Sequence, residues 1–228
     1  MVLRLVGHYD SPFVRRVGIS LCVLAIPFER TLLSVFSDAD AMRAFNPLVR
    51  VPALVLDVGE CLIESAAILD HLDERVGPGR ALLPVAGKAR RDALQILALA
   101  TGVSDKAVAI AYERRKGAEK IDEGWIGRCR GQQDGALAQL ERRYAGVPPG
   151  AGRLMQPEIT VATMLGYVRL RQPDTFPAGR YPALEGLSAR AEAHAAFVAC
   201  RPSAEEIGGP PAEARLALLR LLGDRQSR

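Results

Sequence analysis

The chain has 228 residues, 49% of them hydrophobic and 25% charged, which is enough apolar material for one large domain or two modest ones. Its net charge of +4 is small and its basic residues are scattered; the one cluster, Arg114-Arg115-Lys116, reads as a solvated helix end, and no nucleic-acid partner is expected. No run approaches the ~18 uninterrupted apolar residues of a membrane span, and Arg4 breaks the first apolar run where a signal peptide would need its core.

Residues 3–6 read as a strand. After a polar turn, Phe13, Val14, Val17, Leu21 and Ala25 recur at helical spacing until Pro27 closes the helix. A second strand is expected over 28–33, and a short helix over 38–45, entered through Ser37-Asp38. Apolar runs at 53–56 and 61–63 are joined by Asp57-Val58-Gly59-Glu60, which has the composition of a hairpin turn. Ser65 then caps a helix carrying Ala66, Ile68, Leu69 and Leu72. Beyond Gly77-Pro78-Gly79 and Pro84 strand signals vanish. Long amphipathic helices are expected near 86–115 and 121–145, and further helices over 157–170 and 184–199. A leucine-rich stretch (Leu216, Leu218, Leu219, Leu221) follows Gly208-Gly209-Pro210-Pro211. These signals predict an α/β domain over 1–77, a linker at 78–85 and an all-α domain over 86–228. Cys22, Cys61, Cys129 and Cys200 are far apart, with no C-x-x-C pair and no histidines at metal spacing, so they read as small buried hydrophobes, with neither disulfides nor a metal. A cytoplasmic chain is the expectation.

Chemistry concentrates in the first domain. Ser11-Pro12 is the pairing of a helix start: serine as N-cap, proline where no hydrogen bond is lost. A hydroxyl is thereby held at the positive end of a helix, beyond the carboxyl end of a strand, where a thiolate or an oxyanion would be stabilised. Tyr9 and Phe13 flank it and can line an apolar pocket or simply fill the core. His8, on an alternating strand, should point away from its neighbours and be structural. Arg50-Val51-Pro52 stands before a strand. Its proline is either an ordinary trans strand-start residue or a cis one that leaves the Val51 backbone free to pair with a peptide-like ligand. Glu64-Ser65 opens another helix; together the acid and the hydroxyl suit the ammonium and carboxylate of an α-amino acid head.

These motifs, in this order and spacing, resemble the cytosolic glutathione S-transferases over nearly the whole chain. S-P-F-V-R-R-V at 11–17 is similar to the S-P-[FY]-x-R-[KR] opening of many bacterial members, and N-P-L-V-R-V-P at 46–52 to the family's N-P-x-G-[KQ]-V-P, whose proline is cis. Glu64-Ser65 matches the acid-Ser dipeptide that grips the γ-glutamyl group, while Y-P-A-L at 181–184 and Arg201-Pro202 resemble the borders of the penultimate helix. The resemblance implies a thioredoxin-like first domain, glutathione as co-substrate and a homodimer burying the helix after Glu64 against the partner's long helices. By position, Ser11 would donate to the glutathione sulfur, Val51 pair with the cysteinyl backbone, and Pro52 be the cis proline. Glu64 and Ser65 would hold the γ-glutamyl head, Arg50 the glycyl carboxylate, and Phe13 would complete the glutathione site. Tyr9, Tyr112, Arg115 and Trp125 are candidates for the pocket of a small hydrophobic or electrophilic substrate.

A free thiol titrates near pH ~8.5; lowering that by about two units takes roughly 2.7 kcal/mol, within reach of one charge-assisted hydrogen bond and a helix N-terminus. With no cysteine between Ser11 and Val14, the reactive sulfur must arrive on the substrate, which favours addition or displacement over redox chemistry. The chain departs from the family at Val49, where a glycine is usual, at Met155-Gln156-Pro157-Glu158, where the hydroxyl of a capping box is lost, and at His194-Ala195, where Arg-Pro is usual. Two other readings stand beside the transferase: a zeta-type isomerase, whose relatives begin S-S-C or S-x-C instead of S-P-F, and a non-catalytic binding or assembly module.

Overall fold

The computed structural model describes residues 2–146, 153–173 and 176–208. Strands β1 (Leu3–Val6), β2 (Phe28–Thr31), β3 (Ala53–Val55) and β4 (Cys61–Ile63) form one sheet in the order β2-β1-β3-β4, with β1 parallel to β2 and antiparallel to β3. Side chains alternate across it, as the period of two requires. Leu3, Leu5, Leu54 and Leu56 face the main core with α1 (Pro12–Val23) and α3 (Ser65–Val76). Val6 and Ala53 face the other way and meet Met42 of α2 (Ala39–Arg43). This is the α/β domain that the strand and helix signals imply, in the thioredoxin-like form that the resemblance implies.

The remaining described elements are helical: α4 (Gly87–Glu113), α5 (Glu123–Tyr144), α6 (Gln156–Arg171), α7 (Pro182–Glu192), α8 (Ala195–Ala199) and α9 (Ala204–Gly208). By length and composition α4 is apolar enough to cross a membrane, which counting uninterrupted apolar residues does not reveal; here it packs along α5 and α6. Helix α6 is buried almost all round, against α4, α7 and α1, and joins the two domains. Its buried polar groups are satisfied: Ser20 of α1 donates to Gln156 at 3.0 Å, and Thr163 donates to the Ile159 carbonyl at 2.8 Å.

Two local expectations are corrected. The helix expected over 184–199 is two helices, because His194 adopts extended backbone and its ring nitrogen accepts from the Ala196 N–H at 3.2 Å, capping α8 afresh. At the start of α3 the N-cap is Glu64, and Ser65 is the first helical residue. Lacking a cap hydroxyl, α6 uses the acid three residues on: the Met155 N–H donates to Glu158 at 3.3 Å. The leucine-rich stretch at 216–221 lies outside the described residues.

Candidate functional site

Beyond the carboxyl end of β1, Gly7 takes φ +126°, and a Cβ there would meet Val14 at 2.7 Å. The turn then delivers Ser11 to the N-cap of α1, with φ −74°, ψ 125°. Its oxygen accepts from the Val14 N–H at 3.4 Å, leaving the hydroxyl proton to be donated elsewhere. Ser11 opens onto a cavity of about 150 Å³ that is also lined by Phe13, Arg50, Val51, Asp105 and Tyr112.

The opposite wall of this cavity comes from the loop before β3. Buried Asn46 donates to the Arg50 carbonyl at 2.8 Å and accepts from the Leu48 N–H at 2.9 Å, tying residues 46–50 into a tight loop. Within it Val49 holds φ +51°, a conformation glycine adopts freely and a β-branched residue does not. The Val51-Pro52 bond is cis. Glu64, which with Ser65 is not among the residues lining this cavity, has φ +66°, and its carboxylate lies 3.4 Å from Arg50. Both side chains are exposed, so the pair holds each member only loosely. Ser65 is 4% exposed at the N-terminus of α3. Below them Arg16 is buried with Nε and Nη1 lacking hydrogen-bond partners. Burial lowers its pKa to about 10, while Asp105 and Glu64 pull it upward.

A second cavity, about 420 Å³, adjoins the first through His8, Ser34, Phe36, Tyr112 and Tyr167. Its far side carries Arg114, Arg115 and Arg171. Tyr112 meets the Phe36 ring at 5.2 Å, and the Arg115 guanidinium sits 3.8 Å over the same ring. Arg171 is paired with Asp10 at 2.7 Å. Burial raises the carboxyl of Asp10 despite that arginine.

The residues 5–80 match the family model described as the N-terminal domain of glutathione S-transferase. The uncharacterized GST-like protein YibF of Escherichia coli (strain K12) is 30% identical over 75% of this chain and 84% of its own length. The chain belongs to the glutathione S-transferase family. Maleylacetoacetate isomerase of Pseudomonas aeruginosa is 31% identical over 60% of the chain and 69% of the relative. A glutathione transferase family member from Pseudomonas fluorescens Pf-5, solved with S-(propanoic acid)-glutathione, is 32% identical, covers 88% of this chain and 100% of that one, and superposes with a TM-score of 0.74. Other solved glutathione transferases carrying glutathione sulfonate or glutathione superpose at 0.81, 0.81 and 0.77.

Against this family frame, the structure gathers Ser11, Phe13, Arg50 and Val51 on one cavity, with Tyr112 on both cavities and Arg115 on the second. Tyr9 and Trp125 are corrected. The Tyr9 ring, 3% exposed, turns into the core, lies where a Cβ on Gly18 would strike it at 2.6 Å, and has the Arg30 guanidinium 3.5 Å over its face. Burial and Cys200 hold its hydroxyl well above the usual phenol range. On α5, Ile126 and Cys129 are the residues that pack against Ile110, so Trp125 turns away beside Lys106 and lines neither cavity. His8, expected to be structural, lines both. The strand ends at Val6 and Gly7 resets the alternation, so His8 and Tyr9 exchange their expected sides. Asp105, Phe36 and Tyr167 were missed by sequence reasoning, since nothing local marks a residue of α4, α6 or a loop as facing another domain.

Proposed function

We propose that the protein is a glutathione transferase in which Ser11 donates a hydrogen bond to the sulfur of bound glutathione and so favours the thiolate. The carrying observation is the Ser11 hydroxyl, committed as acceptor to Val14 and free as donor, at the positive end of α1 and on the cavity that Arg50 and Val51 share. Residues 1–77 hold glutathione, 78–85 link, and 86–228 supply the electrophile wall. Val51 pairs with the cysteinyl backbone next to cis-Pro52, Arg50 takes the glycyl carboxylate, Phe13 borders the sulfur, and Glu64 with Ser65 takes the γ-glutamyl head. Arg16 adds positive field near that head. The thiolate attacks an electrophile lying toward Tyr112 and Arg115.

The arginines of the second cavity support an electrophile carrying a carboxylate, and the Pseudomonas fluorescens relative holds a glutathione whose sulfur bears a propanoic acid group. An unsaturated or halogenated carboxylic acid has this chemistry. A second reading, glutathione-dependent isomerisation, is favoured by the maleylacetoacetate isomerase relative; in it the thiolate adds to a conjugated double bond and then leaves. Ser-Pro-Phe at 11–13 in place of S-S-C or S-x-C favours the transferase. A cytoplasmic homodimer completes the proposal. Leu94, exposed on α4, and Ala66 and Ala67, exposed on α3, supply apolar surface for a partner copy. Light scattering at micromolar protein should give twice the chain mass, and a monomeric mass would overturn the dimer.

The deciding test titrates glutathione onto the pure protein and reads the thiolate absorbance beside Ser11→Ala. A band at neutral pH that fades in the variant is expected, with the bound thiol's pKa rising by about two units and turnover falling about 100-fold. Binding with no band would remove Ser11 from the chemistry. No saturable binding at millimolar glutathione would leave a non-catalytic module. Turnover of a conjugated acid without loss of glutathione would establish the isomerase.

A further inference from the structure

The four cysteines are far apart in sequence, yet the fold brings two of them together. Cys22, in the last turn of α1, and Cys200, which caps α8, have their sulfurs 3.8 Å apart across 178 positions of chain and across the boundary between the two domains. The other two are separately accommodated. Cys61 donates to the Phe45 carbonyl at 3.3 Å on the outer face of the sheet, and Cys129 is sealed between Ile110 and Ile126. Neither the sulfur of glutathione nor the Ser11 hydroxyl has any use for the Cys22–Cys200 contact, which lies at the opposite end of α1.

The pair is asymmetric in a way that assigns roles. Cys200 is 1% exposed, whereas Cys22 is only half-buried and meets solvent first. The two sulfurs share a hydrogen bond, and that contact holds the Cys22 thiol below its usual range against the opposing effect of burial. The same hydrogen bond, with burial, holds Cys200 high, while the Tyr9 hydroxyl and Arg15 act the other way. The backbone beneath Cys200 is fixed: Arg15 Nε donates to its carbonyl at 2.9 Å. A half-buried sulfur in front of a fully buried one is the order of an attacking and a resolving cysteine.

We propose that Cys22 and Cys200 form a reversible disulfide that staples the two domains together, with a hydroperoxide as oxidant. The Cys22 thiolate attacks the outer peroxide oxygen, the O–O bond breaks, and the leaving oxygen takes a proton to become water or an alcohol. Cys22 is then a sulfenic acid. Cys200 loses its proton and attacks the Cys22 sulfur; the S–O bond breaks, the S–S bond forms and water leaves. Two thiols have lost two electrons and the peroxide has gained two. The sulfurs must close from 3.8 Å to a bond of about 2 Å, a movement open to side-chain rotation once they are already in contact. Thiols such as free glutathione reverse the step by exchange at the half-buried Cys22 sulfur.

The test treats the reduced full-length protein with hydrogen peroxide at near-neutral pH, alkylates it under denaturing conditions and measures intact and peptide masses. Alkylatable thiols should fall from four to two, the protein should lose about 2 Da before alkylation, and one peptide pair should link Cys22 to Cys200, vanishing with dithiothreitol. Cys61→Ser should behave as the wild type does. In Cys200→Ser, Cys22 should stop at a sulfenic acid that dimedone traps. The wild-type peptide map needs no variant to fold. A gain of about 32 Da on Cys22 with no internal link, an intermolecular bond through Cys61, or retention of all four thiols while free cysteine in the same tube is oxidised would each overturn the proposal.

Discussion

Helix α1 separates two regions that treat their polar groups in opposite ways. On its rear, against α6 and α8, everything is committed: Arg15 forks onto Glu192 with two bonds of 2.7 Å and also donates to the Cys200 and Phe197 carbonyls, and Ser20 bonds Gln156. Nearby, buried Glu206 accepts from the N–H groups of Tyr9 and Ser203, both at 2.8 Å, and from Arg30. At its front, Ser11 has a proton to give, Arg50 and Glu64 touch loosely in solvent, and Arg16 has nitrogens without partners. The rear is organised for cohesion, since a buried charge left unpaired costs several kcal/mol. The front keeps its charge free to meet a ligand.

The largest effect should come from breaking the rear. Arg15→Leu strips the donors from Glu192 and two carbonyls, and a loss of about 3 kcal/mol is expected as a lower urea midpoint. Glutathione affinity of the folded protein should hold; an equal fall in affinity would erase the distinction between the two regions. Next is Glu206→Gln, at about 2 kcal/mol at neutral pH. Burial raises the Glu206 pKa, but the Ser203 and Tyr9 amides and Arg30 outweigh it and hold the carboxyl below its usual range. A carboxylate so depressed stabilises the fold above the ordinary glutamate value of ~4.3, and that contribution is lost as pH falls through the depressed value. Urea midpoints of the wild type and variant should therefore converge as the solution is acidified below pH ~4.

The front should respond in the other currency. Arg115→Ala removes a guanidinium held over Phe36 on the second cavity. KM for an unsaturated carboxylic acid should rise about tenfold relative to its methyl ester, with stability within about 0.5 kcal/mol of the wild type. Equal effects on acid and ester would mean that Arg115 shapes the pocket without reading charge.

What the sequence makes legible follows the same division. Ser11 was visible because capping is local chemistry: a serine, a proline and a 3.6-residue period are all within reach of one another. The four strands and the long helices were visible for the same reason. The exchange of His8 and Tyr9 was hidden because one glycine with positive φ shifts the alternation without changing the pattern of residue types. The break between α7 and α8 was hidden because apolar spacing runs on across His194. Phe36 in contact with Tyr112 and Arg115, and Cys22 against Cys200, are products of domain packing; they join positions that no window on the chain contains.

Val49 is the position where the two levels disagree most plainly. Residue type argues for φ below zero, but the loop tied by Asn46 holds φ +51°, a conformation that glycine adopts freely. Left-handed backbone costs an L-residue about 1–2 kcal/mol, and the Val49 side chain recovers part of this by packing near Val6, Met42 and Ala53. A single substitution would mix relief of strain with loss of packing. Comparing Val49→Gly with Val49→Ala removes the common packing loss: glycine should be the more stable by about 1 kcal/mol in urea unfolding. Were alanine the more stable, as it is where φ is negative, the loop would not be holding position 49 in the left-handed region, and the tight turn that delivers Arg50 and Val51 to the cavity would need another cause.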